Sequence, residues 1–326
     1  PYKIWLSEII LQQTRVEQGW AYYERFVSNF PTVASLANAS EKQVMKLWEG
    51  LGYYSRCRNL MATAKIIRDQ YHAVFPATYE EILSLKGVGP YTAAAISSFA
   101  FNHPYAVCDG NVMRVLARFF NLDWDISSAA GKKQFAGLAQ ELIDTKKPAL
   151  FNQAIMDLGA TICTPQQPKC VQCPLRNACE SLRKKNIEQR PVKTSRLEKK
   201  IRCFHYLVLE YKGRLLVQKR TERDIWHSLH EFYLIEAPVM MSWKKLREMK
   251  NAWSGLAGLD VFQSESAPMK QQLSHQEIRA RIWHFKLSQS IPAPSGYQWV
   301  AKKQIKQLAF PRMLRLYLDN HADLLK

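Results

Sequence analysis

LKGVGPYTAAAISSFAFNHPYAVCDGNVMRVLARFF, residues 85–120, sets two turns around a helix of small and apolar side chains. Gly87 and Gly89 bound the first turn and open it to backbone conformations that other residues avoid. With Val88 between them, successive N–H groups can face outward at the start of the next helix, where the helix end adds partial positive charge. Such a turn suits a phosphate. It equally suits an ordinary helix–helix connection. The second turn, CDGNV, puts Asp109 just before the run VMRVLARFF, where the positive helix end favours a carboxylate; a plain capping role is the alternative.

Working outward, helical apolar spacing recurs in IWLSEIILQQTRV, WAYYERFVSNF, SEKQVMKLWEGL, SRCRNLMATAKIIRDQY and YEEILSLK, so residues 1–162 are expected to be all-α. Ser40 with Gln43 three residues later predicts a capping box. A cysteine-rich loop at 163–179 closes a helical domain of residues 1–180. SLRKKNIEQRPVKTSRLEKK, 181–200, is polar and basic and is expected to be a linker. Beyond it IRCFHYLVLEY and RLLVQKR form a hairpin pattern about Lys212-Gly213, followed by strand-like FYLIEA, helix-like WKKLREMKNAW, strand-like RARIWHFKL and a last helix. Residues 201–326 are therefore expected to form an α+β domain.

The 326 residues are 47% hydrophobic, enough for sizeable cores, and carry a formal charge of +18 with a pI near 9.6. That balance favours a polyanionic partner such as nucleic acid. No apolar run approaches the roughly 20 residues that span a bilayer, and no signal-peptide pattern opens the chain, so the cytosol or nucleoid is expected. The chain starts at Pro1 within the approach to a helix, which leads us to expect native residues upstream.

Glu8 contrasts with Asp109. On a helix its neighbours are Ile4, Trp5 and Leu11, and desolvation there should raise its pKa, as suits a general acid. Two carboxylates held in different environments are what acid-assisted glycosidic cleavage requires. One protonates the leaving group and the other stabilises an oxocarbenium-like centre or attacks it.

With these residues in view, the segment from Leu85 to Val112 resembles the helix-hairpin-helix with trailing Asp of the DNA glycosylase superfamily that includes endonuclease III. PYKIWLSEIILQQTRV, GLGYYSRCRNL and FNQAIMDLGATIC narrow the resemblance to the MutY-type adenine DNA glycosylases, over nearly the whole chain. The resemblance implies a monofunctional enzyme acting on double-stranded DNA, as a monomer, at adenine mispaired with 8-oxoguanine or guanine. Glu8 is then the acid that protonates adenine N7 and later handles water, and Asp109 the carboxylate that stabilises the sugar cation. Tyr91 and Asn111 support that pair, and Gln153 contacts the extruded adenine. Gln13 and Tyr53 are wedged into the duplex where the base leaves, since a stacked base must be flipped out to be reached. Gly87, Val88 and Gly89 hold a DNA phosphate. Lyase-active relatives place a Schiff-base Lys where this chain has Tyr91; Lys86 lies before the turn.

Cys163, Cys170, Cys173 and Cys179 are spaced C-x6-C-x2-C-x5-C, and four thiolates so grouped could hold zinc or iron–sulfur. The resemblance implies a [4Fe-4S] cluster with a structural role, Lys169 and Arg176 of the same loop facing phosphates. Cys57, Cys108 and Cys203 are expected to be buried small residues. The C-terminal domain resembles the Nudix-like domain of the same family. WKKLREMKNAWSGLAGLDV lacks the acidic cluster that would hold magnesium, so the domain should read 8-oxoguanine without cutting a nucleotide. Leu273-Ser274-His275 stands where Phe-Ser-His is usual, and EFY at 231–233 where EFP is commoner. Ser274 and His275 keep the polar contacts implied there. Three other classes fit the residues less well: an endonuclease III-like glycosylase/lyase for oxidised pyrimidines, opposed by Tyr91; a non-catalytic DNA-binding protein, opposed by the two carboxylates; and a Nudix pyrophosphohydrolase, opposed by the missing acidic cluster.

Overall fold

The small side chains of 85–120 decide how the helices pack. Helix α7 (Pro90–Phe101) buries Thr92 through Ser98, and no side chain among these seven is larger than Ile96, so neighbouring helices approach its backbone closely. Against it lie α1 (Tyr2–Leu11), α6 (Tyr79–Ser84) and α10 (Pro148–Thr161). α1 presents Trp5, Leu6, Ile9 and Ile10, all buried, and the Trp5 ring meets Phe75 at 5.7 Å. The computed structural model describes residues 1–194, 199–248, 259 and 262–326. Between α1 and α10 the chain forms α2 (Val16–Asn29), α3 (Val33–Asn38), α4 (Glu41–Trp48), α5 (Tyr54–Gln70), α8 (Gly110–Phe119) and α9 (Ala129–Leu142), the all-α pattern expected. The Ser40–Gln43 capping box forms in full at the start of α4. None of the described helices is long and apolar enough to cross a membrane.

The chain divides into two compact units, Pro1–Asn38 with Arg58–Arg196, and Ala39–Cys57 with Leu197–Lys326. The segment 39–57 thus groups with the C-terminal half rather than with the helices that flank it in sequence. Residues 181–194, expected to be linker, instead lie against the helical unit from the short helix α11 (Glu180–Arg183) onward. Asn186 Nδ2 donates to Asn121 Oδ1 (2.8 Å), Ile126 N–H to the Val192 carbonyl (3.1 Å), and Arg118 Nε to the carbonyls of Ile187 (3.3 Å) and Arg190 (3.1 Å). The physical reason is Arg118, buried at 3% exposure, whose guanidinium needs acceptors that this segment supplies.

In the second unit, β1 (Lys200–Tyr211) and β2 (Arg214–Lys219) form the expected hairpin. Lys212 and Gly213 carry φ of 41° and 72°, the paired left-handed residues of a tight two-residue turn. β3 (His230–Ala237), β4 (Ser264–Glu265), β5 (Met269–Gln272), β6 (Gln276–Lys286) and β7 (Tyr297–Ala301) complete a mixed sheet of order β4-β6-β1-β3-β2-β7, with β5 on β6. β1 runs parallel to β6, Lys200 opposite Gln276 through Glu210 opposite Lys286, while the other pairs are antiparallel. Centrally placed, β1 is buried from Cys203 to Glu210, a largely apolar run apart from His205 and Glu210. Trp243 and Leu246 of α12 (Trp243–Arg247) cover one face with Leu207, Leu209, Trp283 and Phe285. The rest of the helix-like segment, and most of the stretch in which the acidic cluster is missing, lie outside the described residues. α13 (Lys302–Ile305) and α14 (Arg312–Asn320) end the unit. Glu231 of EFY is buried and paired with Arg220 at 2.6 Å, while Tyr233 packs on Tyr297 with ring centroids 5.2 Å apart.

Candidate active site

Glu8 faces α7 from the last turns of α1, and its carboxyl is hydrogen-bonded to the Tyr91 hydroxyl. Desolvation, less the effect of that bond and helped by the nearby Asp109 charge, lifts Glu8 to about 7. Tyr91 is held in its phenol form by burial and by the Glu8 and Asp109 charges. One residue on, Gln12 Nε2 donates to Thr92 Oγ1 (3.1 Å), which ties α1 to α7 beside the pair.

Asp109 is the N-cap of α8. Its Oδ1 accepts from Val112 N–H (2.8 Å) and its Oδ2 from Asn111 Nδ2 (3.0 Å), so the helix start fixes both oxygens. Asn111 Oδ1 in turn accepts from Arg114 Nη2 (2.8 Å), and Arg114 Nε donates to the Cys163 carbonyl (2.7 Å). A polar chain therefore runs from Asp109 to the head of the cysteine loop. α10 approaches this start closely: a Cβ on Gly159 would meet Asn111 Cβ at 2.7 Å. The structure brings Glu8, Tyr91, Asp109 and Asn111 together in one unit.

Two residues that the sequence reading missed build this corner. Asn152, fully buried, accepts from Val107 N–H (3.0 Å) and donates to Ser98 Oγ (3.0 Å) and the Tyr105 carbonyl (2.9 Å), clamping the strand-like approach to Asp109. Gly159 is the other. A polar Asn followed by an aliphatic helical face, and a Gly inside a helix, were the available signals. Gln153, next to Asn152, lies on the exposed side of α10, where its Nε2 donates to Asp157 Oδ1 (2.9 Å).

The turn before α7 corrects one expectation. Gly87 does adopt a left-handed φ of 80°, and a Cβ there would meet Asn59 at 2.7 Å. Gly89, however, is an ordinary extended N-cap at φ −97°, with nothing within 4 Å of where a Cβ would stand. Its value is open space in front of the helix start rather than backbone freedom. Val88 between them is buried and anchors the turn.

Cys163, Cys170, Cys173 and Cys179 line one cavity with Arg118, Ile162, Pro168, Arg176, Leu182 and Ile187. Arg118 Nη1 lies 3.4 Å from Cys163 Sγ and donates to the Thr164 carbonyl (2.7 Å). Among the described residues no three metal-ligating side chains converge closely enough for a single ion. Of the remaining cysteines, Cys57 and Cys203 are buried; Cys108, beside Asp109, is partly buried, with burial pushing its thiol up to about 12.

In the second unit, Tyr53 and Ser274 meet across 221 positions of sequence, hydroxyl to hydroxyl at 2.8 Å. Tyr53 is 41% exposed at φ 47°, and Arg56 lies over its ring at 5.2 Å. Ser274 and His275 are exposed in the turn between β5 and β6, and the His275 carbonyl accepts from Lys200 N–H (3.1 Å). Gln13, in the helical unit, is exposed just past α1 with φ 55°.

Residues 6–141 match the HhH-GPD superfamily of base excision DNA repair proteins, and residues 205–320 match the NUDIX domain. An adenine DNA glycosylase of Buchnera aphidicola subsp. Schizaphis graminum is 36% identical over 234 residues, 71% of this chain and 67% of that one. The human adenine DNA glycosylase is 46% identical over 189 residues, 58% of this chain and 35% of its own. Among solved structures, a thermostable thymine-DNA glycosylase shares 29% identity and a TM-score of 0.51 over 56% of this chain and 85% of its own. With a desolvated acid beside Tyr91 and a helix-capping carboxylate already in place, these likenesses agree on one conclusion: the chain belongs to the adenine DNA glycosylase family.

Proposed function

We propose that the chain hydrolyses the N-glycosidic bond of adenine mispaired with 8-oxoguanine or guanine in double-stranded DNA, acting as a monomer. The observation that carries this is Glu8, a carboxyl lifted to about 7 in hydrogen-bond contact with Tyr91 and near Asp109. At neutral pH a substantial share of Glu8 holds a proton to give, while Asp109 caps a helix start with both oxygens hydrogen-bonded. Glu8 protonates adenine N7, the electron pair of the C1′–N9 bond leaves with the base, and the positive charge left on the sugar is met by the Asp109 carboxylate. Water then adds at C1′ and loses its proton to Glu8. Asn111 holds Asp109 in place, and Gln153 meets the flipped adenine.

No amine stands where a lyase would need one: Tyr91 occupies that position, hydrogen-bonded to the acid, which supports hydrolysis without strand cleavage. Gly87, Val88 and Gly89 receive a backbone phosphate. Gln13 and Tyr53 wedge the duplex, and Ser274 with His275 contacts 8-oxoguanine. Cys163, Cys170, Cys173 and Cys179 would hold a [4Fe-4S] cluster, which supplies cross-linking of the loop that carries Lys169 and Arg176 toward phosphates.

The test is single-turnover release of adenine from a duplex with A opposite 8-oxoguanine, beside A opposite T and a thymine-glycol duplex. Release from the first without strand cleavage is expected. Cleavage at thymine glycol would assign the chain to the lyase class instead, and tight binding without release would leave a DNA-binding protein.

A further inference from the structure

The second unit contains a polar junction that the proposed reaction does not use. Glu49 follows α4, and its side chain is 10% exposed. Its Oε1 accepts from Phe310 N–H (2.8 Å) and Arg315 Nε (3.0 Å), and its Oε2 from Lys46 Nζ (2.5 Å). Lys46 Nζ and Arg315 Nη2 both also donate to the Leu308 carbonyl, at 3.1 and 3.0 Å. One carboxylate, two cations and two backbone groups of 308–310 thus close on each other. A junction of this kind adds little net stability over apolar packing, because its charges lose their water, but it tolerates only one geometry.

What it holds is the base of the turn that ends in Tyr53. Gly50, Gly52 and Tyr53 have φ of 92°, 82° and 47°, so three of the four residues after Glu49 sit in the left-handed region. Within the turn Trp48 Nε1 donates to the Gly52 carbonyl (3.0 Å) and Gly50 N–H to the Tyr54 hydroxyl (3.0 Å), while Arg56 lies over the Trp48 ring at 5.3 Å. So constrained, the turn passes on where its base is fixed with little slack. At its far end the Tyr53 hydroxyl reaches Ser274 at 2.8 Å.

We propose that Glu49, clasped by Phe310 and Arg315, is a positioning residue that sets Tyr53 against Ser274 and so couples reading of the opposite base to opening of the duplex. It rests on the roles proposed above for Tyr53 as wedge and Ser274 as reader. The experiment is Glu49→Gln in the full chain, measured by adenine release at sub-saturating enzyme from A opposite 8-oxoguanine and A opposite G, in wild-type and Tyr53→Phe backgrounds. Glu49→Gln should reduce the preference for the 8-oxoguanine duplex about threefold, within the scale of coupling between groups in one network, and have no further effect in Tyr53→Phe. Release at saturating enzyme from A opposite G should be unchanged. An equal fall on both duplexes, or an undiminished fall in Tyr53→Phe, would mean that Glu49 serves stability alone and overturn the proposal. If instead Tyr53→Phe and Ser274→Ala leave the preference intact, the roles of wedge and reader fail first, and the coupling fails with them.

Discussion

Glu8 and Ser274 mark two ways of using a polar side chain. Glu8 is packed between α1 and α7, stripped of enough water to hold its proton near neutrality, and answers to Tyr91 and Asp109. Ser274 stands exposed on a turn with Tyr53 as its partner. The difference fits the two roles proposed for them: making a charge reactive needs desolvation, and recognising a partner needs access.

The comparison breaks most sharply at Glu8. Glu8→Gln should reduce single-turnover excision by about 10³-fold while leaving duplex affinity intact, since the amide keeps the volume and loses the proton; survival of excision would make Glu8 a packing residue. Next in size is the turn from Gly87 to Gly89. Gly87→Ala should cost about 2 kcal/mol of stability, from a left-handed φ and the displaced Asn59, whereas Gly89→Ala, at an extended φ with open space around it, should leave Tm unchanged and weaken duplex binding; equal melting points for the two variants would contradict the geometry.

The third effect is pH. With Glu8 as the proposed acid, lifted to about 7, excision should fall toward about tenfold per pH unit well above that value. The stability effect has a definite sign: the folded pKa is raised above that of an unfolded Glu, so the native state is favoured below about 4.5 and loses that advantage as pH rises through about 7. Glu8→Gln should therefore raise Tm at pH 8 and not at pH 4, and a Tm gain independent of pH would mean that the carboxyl is not desolvated. Smallest is Ser274→Ala, which should lower excision opposite 8-oxoguanine about fivefold and leave excision opposite G unchanged, as expected for one exposed hydrogen bond. A fall on both duplexes would move Ser274 from reading to structure.

Much of the fold was legible because its cues are local: the Ser40–Gln43 box, the apolar faces of α1 and α7, and Lys212-Gly213 each lie within a few residues of what they build. Glu8 was legible for the same reason, its apolar neighbours being its own helical turns. What stayed hidden depends on partners far away in sequence. The basic run at 181–194 reads as solvated until Arg118, some seventy residues earlier, is seen to take its carbonyls. Gly89 reads like Gly87 as a turn glycine, and the structure distinguishes them by backbone, left-handed at Gly87 and extended at Gly89 before Pro90, and by the placement of Asn59. Asn152 reads as one more polar residue in a helix, because its three bonds lie 45 to 54 positions away.

The grouping of 39–57 with the C-terminal half has a consequence for inheritance and engineering. A chimera joined at 181–200, where composition alone would cut, would carry Glu49 from one parent and Phe310 and Arg315 from the other. The heritable module is discontinuous: exchange of the C-terminal half between relatives should preserve function only when the nineteen residues from Ala39 to Cys57 travel with it.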